Sequence, residues 1–75
     1  GLAAHQRLVL ISLAVEPGPV YSDAYRRDHR LGAASSVQKS ITRLQERELI
    51  EAVSGSGYTI ADVFLRAWII DRATP

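Results

Sequence analysis

The side chains able to do covalent or acid–base chemistry are few, and none stands in a productive spacing. His5 and His29 are the only histidines, far apart and each without a partner at metal-ligand spacing. The reading is a helix-surface His5 and a solvated or capping His29, with no metal site. Ser35 and Ser36 lack the Gly-x-Ser-x-Gly elbow that exposes a nucleophile, and they suit a helix start instead. Gly55-Ser56-Gly57 has neither the spacing of a phosphate-binding loop nor a following helix whose N-terminus could hold phosphate. It is a turn. The chain is therefore expected not to be an enzyme, with no catalytic residue and no cofactor of its own.

What the residues do offer is recognition. Val37, Ile41 and Leu44 recur at spacings of four and three, so one helix face packs inward. Gln38, Lys39, Thr42, Arg43 and Gln45 then fall on or near the other face. Between Arg26 and Arg47 stand six basic residues (Arg26, Arg27, Arg30, Lys39, Arg43, Arg47) against two acidic ones (Asp28, Glu46). The chain as a whole carries only +1, so everything outside that segment is net acidic. Such an asymmetry suits a surface facing nucleic acid, and equally a solvated helix face of mixed sign.

The elements that must position this face follow from caps and breakers. Leu2 to Val15 is long enough for a helix, and Pro17-Gly18-Pro19 stops it. Val20-Tyr21 is a short extended stretch, a plausible third strand. Ser22 or Asp23 caps a second helix carrying Ala24, Tyr25 and Leu31 inward, and Gly32 suits its C-cap. A third helix runs from about Ser36 to Glu48, opened by Ser35 or Ser36, with Arg43 and Glu46 as neighbours. Leu49 to Val53 and Tyr58 to Ile60 form a hairpin across Ser54-Gly55-Ser56-Gly57. Asp62 caps a last helix from Val63 to Asp71, with Phe64 and Trp68 stacked at a four-residue spacing. The fold class is α+β: a winged helix-turn-helix, a three-helix core with a small antiparallel β-hairpin wing and an extra C-terminal helix.

Seventy-five residues make one domain, spanning 1–75, with a thin stability margin and no cysteine to brace it. No run is long or apolar enough to cross a bilayer, and no signal peptide is evident. Cytoplasmic residence is the default. The chain opens at Gly1 without a methionine, and is expected to be excised from a longer protein. Ala73-Thr74-Pro75 is the one linker-like stretch. The first and last helices are apolar around more than the roughly 100° stripe that a surface helix needs, so an exposed apolar patch is expected where they meet. It would contact a missing domain of the same chain or, as a homodimer, a second copy.

Several runs are familiar in combination. They are Gln6-Arg7-Leu8-Val9-Leu10, Glu16-Pro17-Gly18, Tyr21-Ser22, Tyr25-Arg26-Arg27, Ser35 to Leu44, Leu49-Ile50, and Gly57 to Ile69. Together they resemble the winged-helix domain that follows the nucleotide-binding core in archaeal-type P-loop ATPases of the AAA+/STAND group. The ending is the most specific part: Asp62, Phe64, Arg66 and Trp68 match, and Val63 stands where proline is usual. The resemblance implies a docking or regulatory domain for an ATPase core of the same chain, with ATP bound by that core. Leu65, Arg66, Trp68 and Ile69 are then the docking residues, and Arg66, Arg26 or Arg27 could approach nucleotide.

The alternative is a DNA-binding transcriptional regulator whose third helix enters the major groove of double-stranded DNA. Ser35, Ser36, Gln38, Lys39, Thr42 and Arg43 would meet bases and phosphates there, and Arg26, Arg27 and Arg30 the backbone. Against it, the Ser54–Gly57 turn carries no base, and Glu46, Glu48 and Glu51 repel phosphate.

Overall fold

A computed structural model describes residues 1–73, in the order α1 (Ala4–Val15), α2 (Asp23–Asp28), α3 (Ala34–Glu46), β1 (Ile50–Val53), β2 (Gly57–Ile60) and α4 (Val63–Ala73). Helix α1 begins two residues later than its apolar run, where the Gln6 side-chain oxygen accepts from the Ala3 N–H at 3.2 Å. It packs on α3, α4 and β2. The core joins Val9 and Leu13 of α1 to Val37, Ile41 and Leu44 of α3, with Val20 and Leu31 from the connecting turns, all fully buried. The inward face expected of the third helix is therefore present.

Polar pins hold the helices in place. His5 is not a free surface residue: its Nε2 donates to the Leu31 carbonyl at 2.8 Å, since a carbonyl only accepts. Its Nδ1 then accepts from the Ser40 hydroxyl at 2.6 Å. One ring thus ties α1 to α3 and satisfies a serine buried in the core. The Tyr25 phenol donates to the Glu16 backbone carbonyl at 2.7 Å, anchoring α2 to the end of α1. His29 caps α2, lies against the Tyr25 ring and donates from Nε2 to the Glu16 carboxylate at 2.6 Å. Ala24 faces outward, contrary to expectation.

Capping follows the sequence reading at the start of α2 and departs from it at the start of α3 and the end of α2. Ser22, the nearer of its two candidates, accepts from the Tyr25 N–H at 3.1 Å. Helix α3 starts at Ala34 after Ala33, with no side-chain cap, so Ser35 and Ser36 sit inside the first turn. Gly32 is left-handed (φ 81°), but the left-handed residue that closes α2 is Arg30 (φ 56°), two residues earlier. Leu31 N–H returns to the Arg26 carbonyl and Arg30 N–H to the Arg27 carbonyl, the Schellman arrangement, with Leu31 buried. Glu48 (φ 60°) closes α3 in the same way, with Leu49 N–H on the Leu44 carbonyl.

The hairpin pairs Ile50 with Ile60 through Val53 with Gly57, antiparallel, and only Ile50 of β1 is buried. The expected third strand at Val20-Tyr21 is absent; Gly18 makes the bridge instead, exchanging backbone hydrogen bonds with Tyr58 at 3.1 and 3.0 Å. Pro17 and Pro19 flank it without N–H groups, so pairing stops after one residue. A Cβ on Gly57 would lie 3.1 Å from the Gly18 backbone, so any larger residue would have to push the bridged Gly18 segment away by a few tenths of an ångström. Asp62 caps α4 as expected, accepting from Phe64 N–H at 2.8 Å. Ala73 completes that helix; the rest of the expected linker lies outside the described residues.

Arg30 and Glu48 hold a left-handed conformation that costs a side-chain-bearing residue about 1–2 kcal/mol, partly offset on replacement by glycine's greater unfolded freedom. Arg30→Gly and Glu48→Gly should each raise stability by about 0.5–1 kcal/mol, read as a higher urea midpoint. Gly57→Ala should lower it.

Candidate functional site

With Val37, Ile41 and Leu44 committed to the core, α3 turns Ser35, Gln38, Lys39, Thr42 and Arg43 outward together, and all five are exposed. With Glu46 they line one shallow depression. Ser36 is exposed beside them. Two local contacts occupy side chains of this face. The Glu46 carboxylate lies 3.6 Å from Arg43 Nη1, and the Thr42 hydroxyl donates to the Gln38 carbonyl at 3.0 Å. Tyr21 borders the N-terminal edge of this face with Ala34, Ser35 and Gln38.

The three arginines of the second helix divide. Arg27 and Arg30 are exposed. Arg26 is committed inside the molecule: Nε donates to the Tyr21 carbonyl at 3.1 Å, Nη1 to the Gly32 carbonyl at 3.0 Å, and Nη2 to the Asp23 carboxylate. Its guanidinium clamps the turn on either side of α2 and has little left for a ligand. The sequence shows a basic residue there; it does not show that three oxygens converge on it.

A second surface lies between α1 and α4. Leu2, Arg7, Ile11, Trp68, Ile69 and Arg72 are among the residues lining a cleft of about 260 Å³. Beyond it, α1 exposes Ala4, Leu8, Ile11 and Val15, while α4 exposes Val63, Phe64 (82%) and Trp68 (55%). The apolar patch expected from the two helices is present. Its make-up is not the expected one: Ile69 is buried in the core and Leu65 is half-buried against it. Trp68 takes the Arg72 guanidinium over its ring, 4.8 Å from the centroid. Arg66 is half-buried, and its Nε has no hydrogen-bond partner among the described residues. The exposed Phe64 and the outer stripe of α1 lie outside the docking set Leu65, Arg66, Trp68 and Ile69, although their spacing in the sequence carries the signal.

A helix-turn-helix closed by a two-stranded ribbon, with the second of its paired helices presenting a polar face, defines a winged-helix domain. The chain matches the family model of the probable winged helix domain over residues 1–71, and it belongs to that family. No curated protein and no solved structure matches it. Among the described residues no helix is long and apolar enough to cross a membrane, and no group of three or more His, Cys, Asp or Glu stands where it could hold a metal ion.

Two phenols, Tyr21 and Tyr25, respond to burial. Tyr21 is pushed up from 10.0 to about 12, first by burial and then by the neighbouring Tyr58 phenol. Burial, and secondarily the Glu16 carboxylate, also raises Tyr25. A raised phenol favours the fold fully below its unfolded value near 10, and that contribution is lost as pH climbs through the folded value near 12. Stability to urea should therefore fall between pH 10 and 12. Tyr25→Phe should start lower by about 1 kcal/mol, from the lost hydrogen bond to Glu16, and decline less steeply across that window.

Proposed function

We propose that this domain is a non-catalytic docking module, reporting the nucleotide state of an attached P-loop ATPase core through its α1–α4 face. One observation carries the reading: α1 spends one stripe on the core and exposes a second, wholly apolar stripe at Ala4, Leu8, Ile11 and Val15, which meets Trp68 of α4 where Ile11 and Trp68 line the same cleft. Contiguous exposed apolar surface on a small domain marks contact with something else. That the partner is an ATPase core rests on the resemblance of the chain, above all of Asp62 to Trp68. ATP would be bound there, and a cytoplasmic setting goes with it. In the protein that carries this domain, Leu8→Asp and Trp68→Ala should each change ATP turnover or nucleotide affinity several-fold. Unchanged turnover and affinity in variants that melt normally would sink the reading.

A second reading is favoured by the joint exposure of Ser35, Gln38, Lys39, Thr42 and Arg43 on α3: that face entering the major groove of a DNA duplex. Glu46 beside Arg43 and a wing tip without a base weaken it. The domain should bind duplex no more tightly than the roughly 10⁻⁴–10⁻⁶ M of non-specific contacts. Anisotropy titrations at low and moderate salt test this. Tighter binding that Lys39→Ala/Arg43→Ala abolishes would place DNA first, and no binding at low salt would remove it.

A further inference from the structure

We infer that the groove between α1 and α4 is a seat for an amphipathic helix carrying acidic residues beside its apolar anchors. This rests on the docking reading and adds the chemistry of the partner. The exposed stripe of α1 runs through positions 4, 8, 11 and 15, spacings of four, three and four. That is the seam along which one helix receives another. The adjoining cleft, about 260 Å³, is smaller than the roughly 300–1,000 Å³ of a small-molecule site. It suits side chains inserted from a partner.

The charges choose among partners. Among the described residues, the only charged side chains lining the cleft are Arg7 and Arg72. Among the described residues neither pairs with a carboxylate: Arg7 Nη1 donates to the Leu2 carbonyl at 3.0 Å, and Arg72 lies over Trp68. Both keep N–H groups free at the rim. Asp71 is exposed on the same helix but does not line the cleft. A second copy offers from its own cleft the same two arginines and no carboxylate to pair with them. A helix with Glu or Asp flanking its aliphatic residues would meet opposite charge at Arg7 and Arg72.

Trp68 is the sole tryptophan and stands in the groove, so its emission reports occupancy. Two helical peptides without aromatic residues serve as probes, with identical leucines at four-three-four spacing, one flanked by glutamates and the other by lysines. The glutamate peptide should shift Trp68 emission saturably and bind at least about ten-fold more tightly than the lysine peptide, a gap that narrows at about 0.5 M salt. Arg7→Glu/Arg72→Glu should reverse the preference, and Arg7→Gln/Arg72→Gln should erase it, with unchanged circular dichroism. Equal binding of both peptides overturns the acidic partner and leaves docking standing. No response to either peptide overturns the inference, and the turnover measurement then judges docking separately. Sedimentation showing a dimer that Ile11→Asp breaks would give the groove to a second copy instead.

Discussion

The inner stripe of α1 is the constraint on which the rest of this molecule depends. Val9, Leu13 and Ala14 are wholly buried, and α3, α4 and β2 all pack on this one helix. A domain this small has a single core, and each helix can commit only one face to it. Because α3 gives Val37, Ile41 and Leu44 to α1, its polar side must point to water. Because α1 has only one inward face, its remaining apolar residues are left outside. Both outward surfaces follow from the same packing decision.

Apolar contact alone would leave the turns loosely placed. Hydrogen bonds to backbone oxygens remove that freedom. His5 reaches Leu31 and Ser40, Tyr25 reaches Glu16, and Arg26 gathers oxygens from Tyr21, Gly32 and Asp23. Apart from the Arg26–Asp23 pair within α2, each bond links a helix to another element or to a connecting turn, and so sets an angle that side-chain volume does not. The same bonds withdraw residues from function. A histidine and an arginine that look available for chemistry are spent on holding the helix-turn-helix together.

The two outward surfaces differ in physical character. The α3 face is polar, shallow and mixed in sign, so any contact there is screened by salt and weak unless reinforced elsewhere. The α1–α4 face is apolar with a basic rim, where burial supplies affinity and charge supplies selectivity.

Local rules were legible where local forces act. The three-helix core with its hairpin and last helix, the Ser22 and Asp62 caps, the Arg43–Glu46 pair and the buried face of α3 follow from side-chain periodicity and from hydrogen bonds a few residues long. The excess apolar surface of the terminal helices was visible for the same reason, as more oily positions than one stripe holds. Tertiary structure alone decided the rest. It placed the left-handed closure at Arg30 rather than Gly32, moved the third pairing to Gly18, buried Ile69 while exposing Phe64, and turned His5 inward. Those outcomes depend on which distant atoms come within hydrogen-bonding or packing range, and sequence spacing along one element carries no information about that.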